Sequence, residues 1–272
     1  MTRTLVCFHA HPDDEAMLTA GTMAKASAGG DRVVLVVATR GERGDADRAL
    51  AAGAGDLGAL RSGELDRSAG ALGVARVEIL GYGDSGSDGV IGGPGTFVDA
   101  PVEEAAARLA AILTEEHADV LTTYDPLGGY GHPDHVRVHE VGRVAADLAQ
   151  TPVVLEATID RALLELAAQV VPTLGVELPA DFAPPDLSTV YSSSDEITHT
   201  VDVRQHLPAK RASMQAHVSQ TTSAGTTARS LAAFLSLPDE LFAMAFGTEW
   251  YVDRSAAPGT AATDIFAAVA RP

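Results

Sequence analysis

The stretch LVCFHAHPDDE, residues 5–15, joins an apolar run to a cluster of imidazole and carboxylate side chains. The apolar run predicts a buried strand, and the cluster follows where that strand would end. A second arrangement of the same kind comes much later, where the apolar run DVLTTY, residues 119–124, precedes HPDH, residues 132–135. Imidazole and carboxylate groups together suit a divalent transition metal, so the two clusters predict a metalloenzyme.

Valine- and isoleucine-rich runs alternate with alanine-rich stretches through the first 160 residues. This alternation predicts an α/β fold with a Rossmann-like, doubly wound, mostly parallel sheet and an irregular C-terminal third. The predicted strands are residues 3–9, 32–38, 76–82, 119–124 and 152–158. The predicted helices are residues 15–28, 57–72, 101–117 and 133–149.

The remaining stretches are less periodic. Glycine-rich residues 83–95 predict a loop after the third strand, and residues 172–196, with four prolines, predict an irregular connection. Beyond them we expect a strand at 198–203, a helix at 205–218, a loop at 219–227 and a strand at 249–252. Residues 1–272 are expected to form one domain, with a core at 1–160 and a C-terminal part at 161–272.

Composition limits the class of partner. The chain has 272 residues, 46% of them hydrophobic, and a formal net charge of -18. Such acidity disfavours nucleic acid and anionic membranes as partners and favours a small molecule, while homo-oligomerisation stays open. The single cysteine, Cys7, allows no intramolecular disulfide. With no apolar run of membrane-spanning length and no recognisable signal peptide, we expect a cytoplasmic protein.

The two clusters should meet if the first and fourth strands are neighbours. In open α/β sheets ligands bind at the carboxyl ends of the strands, where the strand order reverses. His11, Asp14 and His135 would then converge. A purely structural explanation competes with this one, since HPDDE and HPDH each also resemble an acidic helix start with proline at its first position. The two explanations weigh equally for either motif alone, but two such motifs at two strand ends favour a metal site.

Other classes of protein remain open on these residues. Two histidines and one carboxylate also describe the facial triad of non-haem iron oxygenases, although those triads typically sit on all-β scaffolds. A binding protein without turnover is a third alternative. Residues 81–86 match the GxGxxG pattern of dinucleotide-binding proteins. Because no helix is predicted after them to hold a pyrophosphate, we expect no nicotinamide cofactor.

AHPDDE at residues 10–15 and GGYGHPDH at 128–135 resemble the zinc-dependent N-deacetylases of the PIG-L/LmbE family, which includes the deacetylase and amidase of the actinobacterial mycothiol pathway. Weaker similarities extend over most of the chain. They lie at residues 39–42, at Arg61 with Glu64 and Leu65, at residues 84–86, and at Ala216 and His217 with Ser219 and Gln220.

The resemblance implies one zinc ion per chain, with Fe²⁺ or another divalent metal as alternatives. It makes His11, Asp14 and His135 the ligands and Asp13 the general base on the zinc-bound water. It also implies roles for further residues around the reacting amide. These are His132 as acid or stabiliser, Asp134 to orient His132, Tyr130 over the carbonyl, and Arg61 and Asp84 on the substrate.

The activity that the resemblance implies is hydrolysis of the acetyl amide of an N-acetylglucosamine-type sugar or conjugate. The alternative within hydrolases is an amidase that acts on a mycothiol-like thiol-sugar conjugate. Family members tend to carry an arginine just before the substrate-binding aspartate, whereas this chain has Gly83 before Asp84. Because the difference lies next to a substrate-binding position of the family, it bears on which sugar conjugate is the substrate.

Overall fold

The computed structural model describes residues 2–44, 56–87, 89–170, 186–222 and 226–269. Its strands are β1 (Thr4–His9), β2 (Arg32–Thr39), β3 (Arg76–Tyr82), β4 (Val120–Tyr124), β5 (Val153–Thr158), β6 (His199–Asp202) and β7 (Thr248–Val252). They form a seven-stranded sheet in the order β3-β2-β1-β4-β5-β7-β6. The first five of these are parallel, and β7 runs antiparallel to both of its neighbours. The predicted Rossmann-like, mostly parallel sheet is confirmed.

Helices cover the sheet in two groups. They are α1 (Asp14–Leu18), α2 (Ala20–Ala28), α3 (Leu57–Leu72), α4 (Val102–Glu115), α5 (Pro133–Ala149), α6 (Arg161–Val170), α7 (Leu207–Ala216), α8 (Val218–Thr222), α9 (Thr226–Leu235) and α10 (Asp239–Phe246). Helix α4 packs against α5, while α2 and α3 pack with α7. Because both faces are covered, β1 is buried along its whole length.

The helix predicted at 15–28 is two helices that meet at Thr19. This residue leaves the helical conformation, with φ -132° and ψ -3°. The carboxylate of Glu249, from β7, accepts hydrogen bonds from the backbone N–H groups of Gly21 and Thr22. A distant carboxylate therefore caps the start of α2, which sequence periodicity does not reveal.

The C-terminal third adds β6 and β7 to the sheet and contains helices that the sequence did not predict, namely α6, α9 and α10. The predicted loop at 219–227 is wrong at 219–222, which belong to α8, and at 226–227, which begin α9; residues 223–225 lie outside the described part of the chain. Residues 172–185 of the predicted irregular connection also lie outside it. Phe242 and Phe246 of α10 pack with Ala16 of α1 and Met214 of α7. Within the described residues, no helix combines the length and apolarity needed to cross a membrane.

Candidate metal and active site

The sheet order brings the two clusters together. Strand β1 pairs directly with β4, so the predicted adjacency of the first and fourth strands is confirmed. His11 follows β1, while His132 and His135 begin α5 after β4. The ring centroid of His11 lies 4.7 Å from that of His132 and 5.5 Å from that of His135. The carboxyl ends of these two strands therefore form one compact cluster of imidazoles.

Asp14 lies between two of these rings. Its Oδ2 is 3.4 Å from His11 Nδ1, and its Oδ1 is 3.2 Å from His135 Nε2. Ligand atoms around a tetrahedral zinc ion are separated by about 3.3–3.6 Å, which follows from ligand distances of about 2.0–2.2 Å. Although burial opposes it, His135 and His11 hold the pKa of Asp14 well below its usual range. Among the described residues the buried Nε2 of His135 makes no hydrogen bond of suitable geometry, although Asp14 Oδ1 is near it.

The other nitrogen of His11 faces Asp134. His11 Nε2 lies 3.1 Å from Asp134 Oδ2, and the same carboxylate accepts hydrogen bonds from the backbone N–H and hydroxyl of Ser85. An ionised carboxylate only accepts, so His11 Nε2 carries a proton, and His11 Nδ1 offers a lone pair on the side of Asp14 once its own proton is lost. Burial alone would lower the pKa of His11, but the surrounding carboxylates, Asp134 first, hold it well above its usual range.

His132 is oriented differently from the expectation. The carboxylate of Asp134 bonds to His11, and only the backbone N–H of Asp134 reaches His132, at 3.1 Å from its Nδ1. Because Nδ1 accepts, the proton of a neutral His132 lies on Nε2. Burial and the neighbouring His11 and His135 lower the pKa of His132 to about 4. The ring is therefore a neutral hydrogen-bond donor near pH 7.

The predicted set of His11, Asp14 and His135 is not among the groups of described residues whose potential ligand atoms all lie within 4.8 Å of one another, whereas two other groups are. The first is His11 with His132 and His135, and the second is His11 with Asp84 and Asp134; in each group the ligand atoms lie within 4.8 Å of one another. His132 thus competes with Asp14 as the third ligand beside His11 and His135.

Asp13 has an unusual backbone and a buried carboxyl group. Its φ of 107° lies in a region that residues other than glycine rarely adopt. Burial raises the pKa of this carboxyl to about 6, although Arg61 opposes the shift. Arg61 donates to Asp13 Oδ1 at 3.1 Å and to the carbonyl oxygens of Pro12 and Gly41. Only 3% of Arg61 is exposed, so its guanidinium is buried against Asp13.

Asp84 is also buried and already bonded. One carboxylate oxygen accepts from the backbone N–H of Gly86 and the other from that of Arg43, at 2.8 and 3.0 Å. Asp84 Oδ1 lies 3.6 Å from His11 Nε2. Despite burial, His11 and the two backbone groups hold the pKa of Asp84 well below its usual range. The two predicted substrate-binding residues, Arg61 and Asp84, therefore lie beneath the surface of the site.

Tyr130 stands at the rim of the cluster. Its ring is half exposed, and its centroid lies 4.9 Å from that of His135. The loop before it is fixed by Asp125, which accepts from the backbone N–H groups of Leu127 and Gly129. At Gly128, with φ of 63°, a Cβ atom would lie 2.6 Å from the backbone nitrogen of Val136, so this close approach requires glycine.

Two buried groups around the site have no role in the sequence-based prediction. Glu15, although part of HPDDE, bonds to His217 Nε2 at 2.6 Å and accepts from Ser68. His9 bonds to the hydroxyl of Tyr124 at 2.8 Å. Burial, and then the nearby negative charge of Asp14, hold the pKa of Tyr124 well above its usual range. The placement of His9 on the core side of β1 was the only sequence signal for the second group.

Comparison with known proteins identifies the same family that the two sequence motifs resemble. The PIG-L family, described as GlcNAc-PI de-N-acetylase, matches residues 6–146. A 1D-myo-inositol 2-acetamido-2-deoxy-alpha-D-glucopyranoside deacetylase from Thermomonospora curvata is 36% identical over 283 residues, covering 96% of this chain and 94% of the relative.

Solved structures share the fold. An N,N'-diacetylchitobiose deacetylase from Pyrococcus horikoshii matches with a TM-score of 0.58 and 24% identity, over 94% of this chain and 84% of that one. A 4-carboxy-2-hydroxymuconate hydratase from Pseudomonas putida matches with the same TM-score and 15% identity, over 94% and 98%. The named reactions of these two proteins differ, so the shared fold alone does not determine the reaction.

The matched residues 6–146 contain both AHPDDE and HPDH, and the similarity to the Thermomonospora protein extends over nearly the whole of both chains. The chain therefore belongs to the PIG-L family.

Proposed function

We propose that this protein is a zinc-dependent N-deacetylase that hydrolyses the acetyl amide of an N-acetylglucosamine-type sugar joined to a second group. The name of the Thermomonospora relative supports this substrate class, because it specifies an inositol-linked 2-acetamido-2-deoxyglucose. The observation that carries the proposal is the position of Asp14, whose two oxygens lie 3.4 and 3.2 Å from His11 and His135 beside the carboxyl of Asp13.

The donor set fits zinc. Two imidazole nitrogens and one carboxylate, with a further position left for water or substrate, are typical of hydrolytic zinc sites. His11 Nδ1, Asp14 and His135 Nε2 would hold the ion, and the lack of a hydrogen bond of suitable geometry at His135 Nε2 among the described residues supports this assignment. When bound, zinc acts as a Lewis acid that makes a water molecule more acidic and polarises the amide carbonyl.

Asp13 is the proposed general base. Its carboxylate takes a proton from the attacking water, and the same group then returns the proton to the nitrogen of the departing amine. With a pKa of about 6, the carboxyl group can both accept and release a proton near neutral pH. Arg61 keeps the carboxylate in place through its contact with Oδ1.

His132 and Tyr130 are the proposed stabilisers of the carbonyl oxygen. The hydrogen bond from the backbone of Asp134 to His132 Nδ1 leaves Nε2–H as a donor. The hydroxyl of Tyr130 is a second donor at the rim. Donors held in place before the reaction stabilise the negative charge that develops on this oxygen.

Arg61 and Asp84 are proposed to serve the substrate indirectly. Arg61 positions Asp13, and Asp84 fixes the loop through Arg43 and Gly86. Direct contacts with the sugar are left to exposed groups such as Tyr130.

The test combines metal analysis with an amine-release assay on N-acetylglucosamine, N,N'-diacetylchitobiose and inositol-linked N-acetylglucosamine. We expect about one zinc ion per chain, release of free amine, loss of activity on chelation, and recovery when zinc is added back. A protein that binds no metal would contradict the proposal. Faster hydrolysis of a bulky thiol-sugar amide would instead favour the amidase alternative, and iron-dependent oxidation would favour an oxygenase.

Alanine variants decide the ligand set. Replacing His11, Asp14 or His135 should remove the metal, whereas His132→Ala should keep the metal and lose activity. Metal loss in His132→Ala together with metal retention in Asp14→Ala would replace the proposed set by the three histidines.

A further inference from the structure

Glu15, the last residue of HPDDE, is buried and accepts three hydrogen bonds, although the chemistry proposed above gives it no part. Its Oε2 accepts from the backbone N–H of Asp13 at 3.0 Å. Its Oε1 lies 2.6 Å from both Ser68 Oγ and His217 Nε2. Glu15, Ser68 and His217 are all 0% exposed. The carboxylate therefore joins the backbone of Asp13 to α3 and to the residue that follows α7.

The hydrogen bond between His217 and Glu15 has a defined direction. An ionised carboxylate only accepts, so His217 Nε2 carries a proton and donates it. The other ring nitrogen, Nδ1, is buried and makes no hydrogen bond among the described residues. Within that part of the chain, the hydrogen bonding of this ring is therefore directed at Glu15.

The peptide plane between Pro12 and Asp13 is held at both of its edges. Arg61 donates to the carbonyl oxygen of Pro12 at one edge, and the N–H of Asp13 donates to Glu15 at the other. Asp13 has a φ of 107°, a conformation that residues other than glycine keep only where their surroundings hold it. Relaxation of φ would turn this plane or the side chain of Asp13, so the two hydrogen bonds on the plane keep the carboxyl group aimed.

We propose that Glu15 and His217 are positioning residues for the general base: Glu15 holds the N–H edge of this peptide plane, and His217 holds Glu15. Arg61 contacts the carboxyl group of Asp13 itself, whereas Glu15 contacts the backbone that carries it. Because Glu15 and His217 are completely buried, they act on the reaction through Asp13. The inference rests on the role of Asp13 assigned under the proposed function.

The test is steady-state amine release by the full-length, zinc-loaded protein, on the N-acetylglucosamine conjugate that the wild type hydrolyses fastest. His217→Leu removes a donor to Glu15. We expect kcat to fall by about 10- to 100-fold, because a small displacement of a reacting group has effects of this size, while KM and bound zinc stay unchanged. An unchanged kcat, or loss of zinc, would overturn the inference. A wild type that releases no amine would overturn the proposed function instead.

His199→Leu is the matched control. His199 is also a buried histidine of the C-terminal third, but it lies in β6 at the edge of the sheet and is hydrogen-bonded to Thr198. We expect this variant to keep the kcat of the wild type. His217→Gln, which keeps an N–H donor, should recover part of the kcat that His217→Leu loses. Equal losses in the two His217 variants would overturn the proposal, because the donor would then have no effect.

A double variant separates the positioning of Asp13 from a general loss of structure. In Asp13→Asn the carboxylate is already gone, so adding His217→Leu should leave the remaining kcat nearly unchanged. If the double variant instead loses the same factor again, His217 does not act through Asp13 and the inference is overturned.

A milder variant covers the case in which His217→Leu does not fold. Ser68→Ala removes the second donor to Glu15 Oε1 with little change in volume, and it should lower kcat by about 10-fold at constant KM. Ser213→Ala is its control, because Ser213 Oγ lies 2.7 Å from Ser68 Oγ and forms no hydrogen bond to Glu15 in the described structure. An equal kcat in these two variants would contradict the proposed role of Glu15.

Discussion

Carboxylates are paired with positively charged side chains at the amino end of the parallel sheet much more completely than at its carboxyl end. At the amino end, carboxylates are matched with arginines: Asp31 bonds to Arg3 at 2.7 Å, and Glu116 bonds to both Arg32 and Arg76. These arginines lower the pKa of Glu116 to about 2. The charges at this end are balanced within the protein.

At the carboxyl end, carboxylates and imidazoles are packed together with less compensation. Four buried or nearly buried carboxylates surround the three histidines, and in the described residues Arg61 is the arginine that reaches one of them. The four are Asp13, Asp14, Asp84 and Asp134. Bringing such groups together costs free energy unless a further positive charge is bound. The amino end therefore contributes stability, whereas the carboxyl end is built for a ligand.

The largest effect is expected from Asp13→Asn. Removing a general base should lower kcat by about 10²- to 10⁴-fold, while bound zinc stays unchanged because Asp13 is not a proposed ligand. Steady-state kinetics and metal analysis on the same sample test this. Glu116→Gln, at the opposite end of the sheet, is the control and should leave kcat intact. Metal loss in Asp13→Asn, or a kcat close to that of the wild type, would contradict the assigned role.

The second largest effect is expected on the free energy of unfolding, at the buried ion pair of Lys210 and Glu249. Lys210 of α7 donates to Glu249 Oε1 at 2.6 Å, and both side chains are at most 2% exposed. Lys210→Met leaves a buried carboxylate without its cation, so we expect the free energy of unfolding to fall by about 3–5 kcal/mol. Urea unfolding measures this, and Arg204→Met, at an exposed ion pair with Asp202, should change little.

The same unfolding curves test the proposal that residues 1–272 form a single domain. Glu249 of β7 also caps α2 through Gly21 and Thr22. Loss of the Lys210 contact should therefore shift one cooperative transition as a whole. Two separate transitions would contradict the single-domain proposal.

A smaller, pH-dependent effect is expected at the amino end. The pKa of Glu116 is about 2 in the folded protein, below its usual value of 4.5. Its stabilising contribution is therefore present above about pH 4.5 and is lost as the pH falls toward about 2. Glu116→Gln should lower the free energy of unfolding by about 1–2 kcal/mol at neutral pH, and this difference should shrink at about pH 3. A difference that is constant with pH would contradict the ion-pair explanation.

The smallest effect is expected at the start of α3, the helix that carries Arg61. Asp56 accepts from the backbone N–H of Ala59 at 2.7 Å and caps this helix. Asp56→Ala should cost about 1 kcal/mol in thermal or urea unfolding, whereas Asp56→Asn, which keeps an acceptor, should cost less. If both variants unfold like the wild type, the cap does not contribute to holding α3.

The central sheet was predictable because its strands are continuous apolar runs and its connections are helices of ordinary length. The predicted helix at 57–72 agrees with α3 at both ends, where Asp56 and Gly73 supply recognisable cap residues. The break at Thr19 was not predictable, because it depends on Glu249, which lies far away in the sequence.

The same distinction holds at the site. HPDDE and HPDH identified His11, Asp14 and His135 as candidates because they follow strands that become neighbours. The sequence did not show that Asp134 contacts His11 instead of directing its carboxylate to His132. Nor did it pair Glu15 with His217, because that contact depends on how the helices of the C-terminal third pack on α1.

The backbone of Asp13 has a further consequence. A residue other than glycine with φ of 107° raises the free energy of the folded state by about 1–3 kcal/mol. Glycine would adopt this conformation at no such expense. Selection for thermal stability alone would therefore favour glycine at position 13, and a programme that ranks variants by melting temperature would discard the carboxylate on which turnover is proposed to depend. Stability and activity are opposed at this one residue, so engineering of this chain should hold position 13 fixed.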